Sequence, residues 1–390
     1  ADGTQLATSG TLTDSNTRVP YDTLSSGHSV TTSTAYRYHW IVVEPISVDD
    51  DAFVSQCEFF EASDKNYLAP CTANLPEIEI GQEADDLATD HFSSTIYTGN
   101  GSNTHNIALG LEPDLVLIKE RSNVSSWAWV DSVRGAGTGD SLRVLDSTST
   151  NAEFTAENDQ VRAFTSTGMT LDDNTDDSFY VNRNTQTYVA HAWELGTSFT
   201  NNSGTNSATI TTTGQYNDDS KICCFTYTGN GSDDQKLFHP LGVVPDMIII
   251  KQRNSGNGWF VYHSSNTSAP ETDYLTLDTT DATSDHDDVW SNDAPTSTLI
   301  TVGTQNAVNG SSDTYVCYAF SGVNGFSSFG SYKGAGGTDG TYIHTGFPVA
   351  WIMTKRNDSA DDWAIYDNTR NTSNVRTKYI LANSNQAETT

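Results

Sequence analysis

The chain has 390 residues, with 50 Asp and Glu against 19 Lys and Arg, a formal net charge of -31. So acidic a surface excludes binding to a nucleic-acid backbone by the chain as a whole; it stays soluble where salt screens its self-repulsion, which fits a saline setting. No apolar run approaches the roughly 18 residues that span a bilayer, the stretch "MIIIK" from Met247 being far too short, so membrane insertion is not expected.

In chain order, the opening "ADGTQLATSG" has neither the basic start nor the apolar core of a signal peptide, so any targeting signal is expected to be absent or already removed. Residues 1–92 contain strand-like pieces, "YRYHWIVVEPISV" from Tyr36 and "VSQCEFFEA" from Val54, and read as a β-rich N-terminal domain of unknown role. The acidic "GQEADDLATD" that follows reads as a linker.

From there the sequence repeats itself. The motif Tyr-Thr-Gly-Asn-Gly-Ser at Tyr97 returns at Tyr227, with a weaker echo, "SYKGAGG", around Tyr332. The runs "PDLVLIKER" from Pro113, "PDMIIIKQR" from Pro245 and "PVAWIMTKR" from Pro348 come next in each copy. After them stand "WAWVD" at Trp127, "WFVYH" at Trp259 and "WAIYD" at Trp363. A fourth landmark aligns "LRVLDSTSTNAE" at Leu142 with "YLTLDTTDATSD" at Tyr274 and "YILANSNQAETT" at Tyr379. The first two copies then share a back half, ending in "TYVAHAW" at Trp193 and "TYVCYAF" at Phe320, with an acidic insertion "DDNTDD" in the first. The third stops at Thr390 inside its fourth landmark; since half a repeat cannot bury its apolar face alone, further sequence beyond Thr390 is expected.

The repeated runs are short, rich in Val, Ile, Trp and Tyr, and bounded by Gly, Asn, Asp and Pro, which predicts strands. Asn100-Gly101, Asn230-Gly231 and Asn309-Gly310 read as turns. The predicted class is all-β: tandem β-sandwich modules in a row, jelly-roll or immunoglobulin-like. The predicted domains are 1–92, 93–198 for repeat 1, 199–323 for repeat 2 and 324–390 for an incomplete repeat 3. On this reading Trp127, Trp259 and the aliphatic runs are core. Lys119, Arg121, Lys251 and Arg253 are structural cations expected to pair with Asp131, Asp114 or their copies.

A search for chemistry returns mostly negatives. There is no G-x-S-x-G elbow, H-E-x-x-H pair, Walker loop or C-x-x-C pair, and the glycines at Gly135 and Gly334 miss the dinucleotide fingerprint. His191 reads as a core histidine and His286 as part of a solvated loop. No catalytic, cofactor or metal residue is nominated, and the chain is read as non-enzymatic. Acidic loops at Asp172, Asp218 and Asp233 offer oxygen ligands for Ca²⁺ as a secondary reading, without the EF-hand spacing. Of five cysteines, Cys57 and Cys71 are close enough in sequence to pair, whereas Cys223, Cys224 and Cys317 read as buried thiols. The preferred ligand contacts are the loops after the repeated glycines: Asn100, Ser102, Arg134, Asn230 and Ser232.

The stretch "DDLATDHFSSTIYTGNGS…GLEPDLVLIKERS…WAWVDSVRGAG", together with "FGSYKGAGGTDGTYIHTGFPVAWIMTKRNDSADDWAIYDNTRN", resembles a repeat family in tail-fibre and virion structural proteins of marine bacteriophages, cyanophages above all. The resemblance covers roughly residues 84–390. It implies a virion component assembled in a bacterial cytoplasm, with other virion proteins as neighbours, a host-surface glycan or protein as partner, and a homo-oligomer, by family habit a trimer. The function it implies is a tail fibre or other virion fibre for host attachment. The alternatives are a capsid decoration or joining protein, a glycan-processing enzyme and a cellular adhesin.

Overall fold

The computed structural model describes residues 87–135, 142–154, 160–173, 179–336 and 340–390, all within the compact unit that runs to Thr390. The expectations for residues 1–86, including the Cys57–Cys71 pairing and most of the N-terminal domain, lie outside the described residues.

After one helical turn, Ala88–His91, repeat 1 supplies β1 (Phe92–Thr98), β2 (His105–Ala108), β3 (Leu115–Glu120), β4 (Ala128–Asp131), β5 (Val144–Leu145), β6 (Val161–Thr165), β7 (Gly168–Leu171) and β8 (Thr187–Trp193). They form a five-stranded antiparallel sheet in the order β1-β8-β3-β4-β5, covered by a second sheet, β2-β7-β6. Repeat 2 supplies β9 (Thr197–Asn201), β10 (Thr212–Asn217), β11 (Ile222–Thr228), β12 (Gln235–Phe238), β13 (Met247–Gln252), β14 (Trp259–His263), β15 (Asp273–Thr276), β16 (Ser284–Asp285), β17 (Leu299–Val302) and β18 (Thr314–Phe320). Its main sheet runs β16-β15-β14-β13-β18-β11-β10-β9, and β12-β17 forms the cover. Repeat 3 contributes β19 (Trp351–Lys355), β20 (Trp363–Asp367) and β21 (Ile380–Leu381), one small sheet. The all-β, multi-sandwich class is therefore present. Among the described residues no helix is long and apolar enough to cross a membrane.

The main sheets explain why the apolar runs do not alternate. All six residues of β3 are buried, because both faces of its sheet are covered. Val116 and Ile118 point into the interior of sandwich 1, with Ala128, Tyr188 and Ala190. Ile248, Ile250, Tyr315 and Cys317 do the same in sandwich 2. The opposite-parity residues, Leu115, Leu117, Trp127 and Trp129 of repeat 1, Met247, Ile249, Trp259 and Tyr318 of repeat 2, and Trp363 and Ile365 of repeat 3, all enter one shared cluster. The modules follow one another in the chain, but in space their main sheets face each other across this common core.

The contacts across it close a ring. The Trp127 indole N–H of repeat 1 donates to Leu381 O of repeat 3 at 2.8 Å; Trp363 of repeat 3 donates to Thr276 O of repeat 2 at 2.9 Å; Trp259 of repeat 2 donates to Asp146 O of repeat 1 at 3.0 Å. Four residues beyond each acceptor a second carbonyl receives a lysine. Lys119 Nζ reaches Asn385 O, Lys355 reaches Thr280 O and Lys251 reaches Thr150 O, at 3.4, 3.2 and 3.2 Å. These equivalences correct the fourth landmark. Asp146 matches Thr276 and Leu381, as the pairings Trp129↔Leu145, Val261↔Leu275 and Ile365↔Ile380 also require, so Leu142 stands two places out of the register expected.

Trp127→Phe keeps most of the buried ring but removes the shorter of the two hydrogen bonds to Leu381 O, leaving the one from Ser384 N at 3.3 Å. The expected cost is about 1–2 kcal/mol of unfolding free energy, read as a lower midpoint with an unchanged slope in urea; no change would remove the bond from the account.

Candidate functional site

Beyond the tryptophan ring, each inter-repeat contact ends in a polar corner. Arg121 grips Glu388 through Nε and Nη2 at 2.8 and 3.0 Å, and Arg253 grips Glu153 in the same two-pronged manner at 2.9 and 3.0 Å. The backbones tie together at the same points, Glu388 N to Arg121 O and Glu153 N to Arg253 O, and the third corner repeats the bond with Thr283 N to Asn357 O. Asn357, rather than the Arg356 expected from the motif, therefore holds the arginine position in repeat 3. Arg356 turns out to Asp358 on the surface.

Each glutamate also takes a second, buried arginine. Arg134 lies against Asp131 at 2.5 Å and reaches Glu153 at 3.2 Å; Arg370 binds Asp367 and reaches Glu388 at 3.3 Å. The Asp131 carboxylate is also met across the module boundary by Tyr318 OH at 2.7 Å, and Asp367 faces His191 at 3.9 Å. Burial lowers the His191 pKa to about 3, in spite of the Asp367 charge, so the ring is neutral. Burial likewise draws Lys119 and Lys251 down to about 8.

This geometry corrects two expectations. Arg134 is not a surface contact: its side chain is 0% exposed, locked between Asp131, Glu153 and Trp129 O. Arg121 and Arg253 are structural, as expected, but their partners are Glu388 and Glu153; Asp131 is taken by Arg134, and Asp114 accepts from the backbone of Leu195 and Gly196. Trp127, Trp259, Cys223, Cys224 and Cys317 are buried as read.

The other four predicted contacts are exposed. Gly101 and Gly231 adopt positive φ of 65° and 71°, which a β-carbon would strain, and the flanking asparagines close the turns: Asn100 Oδ1 accepts from Ser102 N, and Asn230 Oδ1 from Ser232 N, both at 2.9 Å. Each loop is pinned from below by a buried asparagine of the back half. Asn182 Oδ1 accepts from Asn100 N at 3.0 Å and Asn309 Oδ1 from Asn230 N at 2.9 Å, while their amides donate to Ser102 O and Ser232 O. The repeated motif is thus two preorganised, outward-facing loops.

Beside the second loop lies an open groove of about 440 Å³, lined by Ser203, Thr209, Thr211, Thr213, Asn230 and Arg253 among others. One wall is the β9–β10 hairpin, which has no counterpart among the described strands of repeat 1. The hydroxyl and amide lining can exchange hydrogen bonds with a polar, uncharged ligand; no nucleophile–base pair or carboxylate pair lines it. The acidic residues considered for Ca²⁺ are dispersed. Asp172 pairs with Arg162, Asp218 with Lys221, and Asp233 accepts from Ser291 Oγ; residues 174–178 of the acidic insertion lie outside the described residues. Among the described residues no group of three or more His, Cys, Asp or Glu could hold a metal. His286 caps a helical turn by accepting from Asp288 N.

The match to known families covers this whole body at once. The chain belongs to the DUF7483 family. That family is described as a domain of unknown function, and its model matches residues 87–390, so all three repeats form one family unit. No curated protein and no solved structure matches the chain.

The ion-pair corners carry a pH signature. Burial pushes the Glu153 carboxyl up, but the Arg253 hydrogen bonds and the Arg134 and Arg253 charges outweigh it and hold the group below the ordinary glutamate range. A depressed carboxylate stabilises the fold fully above its unfolded value, about 4.3, and loses that stabilisation as pH falls through the lower folded value. Glu153→Gln is therefore expected to cost about 3–5 kcal/mol at pH 7, leaving Arg134 and Arg253 without their shared anion, and to flatten the stability profile below about pH 4.5. An unchanged acid profile would contradict the assignment.

Proposed function

We propose that this body is a non-enzymatic surface module of a virion, a tail fibre or related fibre that attaches the particle to its host. The observation that carries the reading is the pair of equivalent, rigid, exposed loops at residues 100–102 and 230–232, with a hydroxyl-lined groove beside the second. A preorganised loop binds without an ordering cost, and repetition of a weak site multiplies its strength. Such a surface suits host-surface glycan better than an apolar ligand. The resemblance of the repeated motifs to marine phage virion proteins supports the same reading, as does the charge of -31, tolerable in salt. A trimer of chains and neighbouring virion proteins belong to this proposal.

A second reading, a module that decorates the capsid or joins virion parts, is favoured by how much of the chain goes into cementing repeats together: buried ion pairs, indoles and lysines all point inward. Immunogold labelling of particles with antibody to residues 87–390 separates the two, with gold on tail appendages supporting attachment and gold over the capsid supporting decoration. A glycan-processing activity would release reducing sugars from host polysaccharide.

On host-surface polysaccharide the chain is expected to bind in the micromolar range or weaker, and Asn230→Ala to weaken binding about five- to tenfold by removing one hydrogen-bonding group and its turn. Equal binding by the variant would clear the groove of a role, and no binding of the chain to any susceptible cell would sink attachment.

A further inference from the structure

One side chain of the groove beside the second loop differs in kind from the rest. The lining is mostly hydroxyl-bearing and contains no acid, although acids outnumber bases 50 to 19 in the chain, and Arg253 is its one cation among the described residues. A guanidinium presents two two-pronged edges, Nε with Nη2 and Nη1 with Nη2. Glu153 occupies the first at 2.9 and 3.0 Å, whereas Nη1 makes no hydrogen bond among the described residues. Nor does Glu153 cancel the whole Arg253 charge. Its carboxylate is divided among three arginines, Arg134 and Arg143 at 3.2 and 2.8 Å and Arg253 at 2.9 Å. Among the described residues no other carboxylate pairs with Arg253.

The sheet register sets this cation in line with hydroxyls. Thr228 of β11 stands opposite Thr314 of β18, and Arg253 N donates to Thr314 O at 2.7 Å, so the three form one row across the sheet. In the next row on the same face, Thr226 of β11 stands opposite Thr213 of the β9–β10 hairpin. Cross-strand neighbours lie about 5 Å apart, which puts Arg253 about 10 Å from Thr228. Repeat 1 makes the same two-pronged pair with Arg121 on Glu388, but among its described strands no hairpin walls a groove beside it.

We propose that this groove takes an acidic polysaccharide, with one uronic-acid carboxylate seated on the Nη1–Nη2 edge of Arg253 and the sugar hydroxyls bonded to the threonine rows. The inference rests on the host-glycan reading above and adds the charge of the ligand. A planar carboxylate with two acceptor oxygens fits the open edge as Glu153 fits the other. The hydroxyls by themselves hold a neutral sugar equally well, and the arginine gives the acid its advantage. The net charge of -31 opposes a polyanion, but it is spread over the whole chain, and at about 0.15 M salt charges more than about 8 Å away are largely screened.

The test titrates the whole chain with oligogalacturonate and with its full methyl ester, which keeps the sugar backbone and removes the charge, at about pH 7 and about 0.15 M salt. The free acid is expected to bind at least about tenfold more tightly than the ester. Arg253→Lys, which cannot offer a second two-pronged edge, is expected to lose most of that preference, while Arg121→Lys, the same change at a corner without the groove, leaves it intact. Thr213→Trp, at an exposed position of the hairpin wall, is expected to weaken both ligands together. The proposal is overturned if acid and ester bind equally, if the preference survives Arg253→Lys, or if Thr213→Trp changes neither affinity. Equal binding leaves glycan attachment standing. Binding of neither ligand also overturns the proposal, and only the further failure to hold host polysaccharide would remove the attachment reading itself.

Discussion

The structure depends on one repeated bond: an indole N–H reaching across a module boundary to a main-chain carbonyl of another repeat. A tryptophan at that place has to lose water from its whole ring and still find an acceptor for its one donor. Trp127, Trp363 and Trp259 solve this in the same way, and because repeat 1 donates to 3, 3 to 2 and 2 to 1, the ring closes. A closed ring has no terminal module whose inner face must be capped. The lysines and arginine–glutamate corners then take up the polar groups at the margin of the shared core.

The corners also show how a repeat protein tolerates drift. The first two carry two-pronged Arg–Glu pairs reinforced by Arg134 and Arg370; the third has Asn357 beside Thr283, with the backbone bond retained and the charge gone. Buried ion pairs are costly to desolvate, so replacing both partners with small polar groups is tolerable where removing one is not. The backbone bond is the common element and the ion pair is the variable one.

Much of the fold is legible in the sequence. The landmarks locate β1, β3, β4, β8 and their copies, and they mark the tryptophans as core. The shared core does not emerge from them, although its signal is present. "LVLIKE" and "MIIIKQ" are apolar at both parities, and in an antiparallel sheet that means both faces are covered. The partners of Arg121 and Arg253 are not legible, because Glu388 and Glu153 belong to other repeats and no spacing within a copy points to them. Arg134 looks like a loop contact because its glycine neighbours mark a turn, while the buried Asp131 three residues before it, which draws it inward, looks in sequence like any other acid. The Asn100 and Asn230 loops stand out in the sequence, but the role of the asparagines that hold them does not: Asn182 carries no motif, and Asn309, read as a turn residue, closes a helical turn and is buried beneath the second loop.

The central claim is that the repeats share one core and fold as one body. The most direct measurement is denaturant unfolding of residues 197–323, the complete second repeat from β9 onward, against residues 87–390, followed by near-ultraviolet circular dichroism of the tryptophans. The account predicts one cooperative transition for the three-repeat body and, for the excised repeat with Trp259, Met247 and Ile249 turned to water, no native-like tryptophan signal. A cooperative transition of the excised repeat at the same midpoint would contradict it.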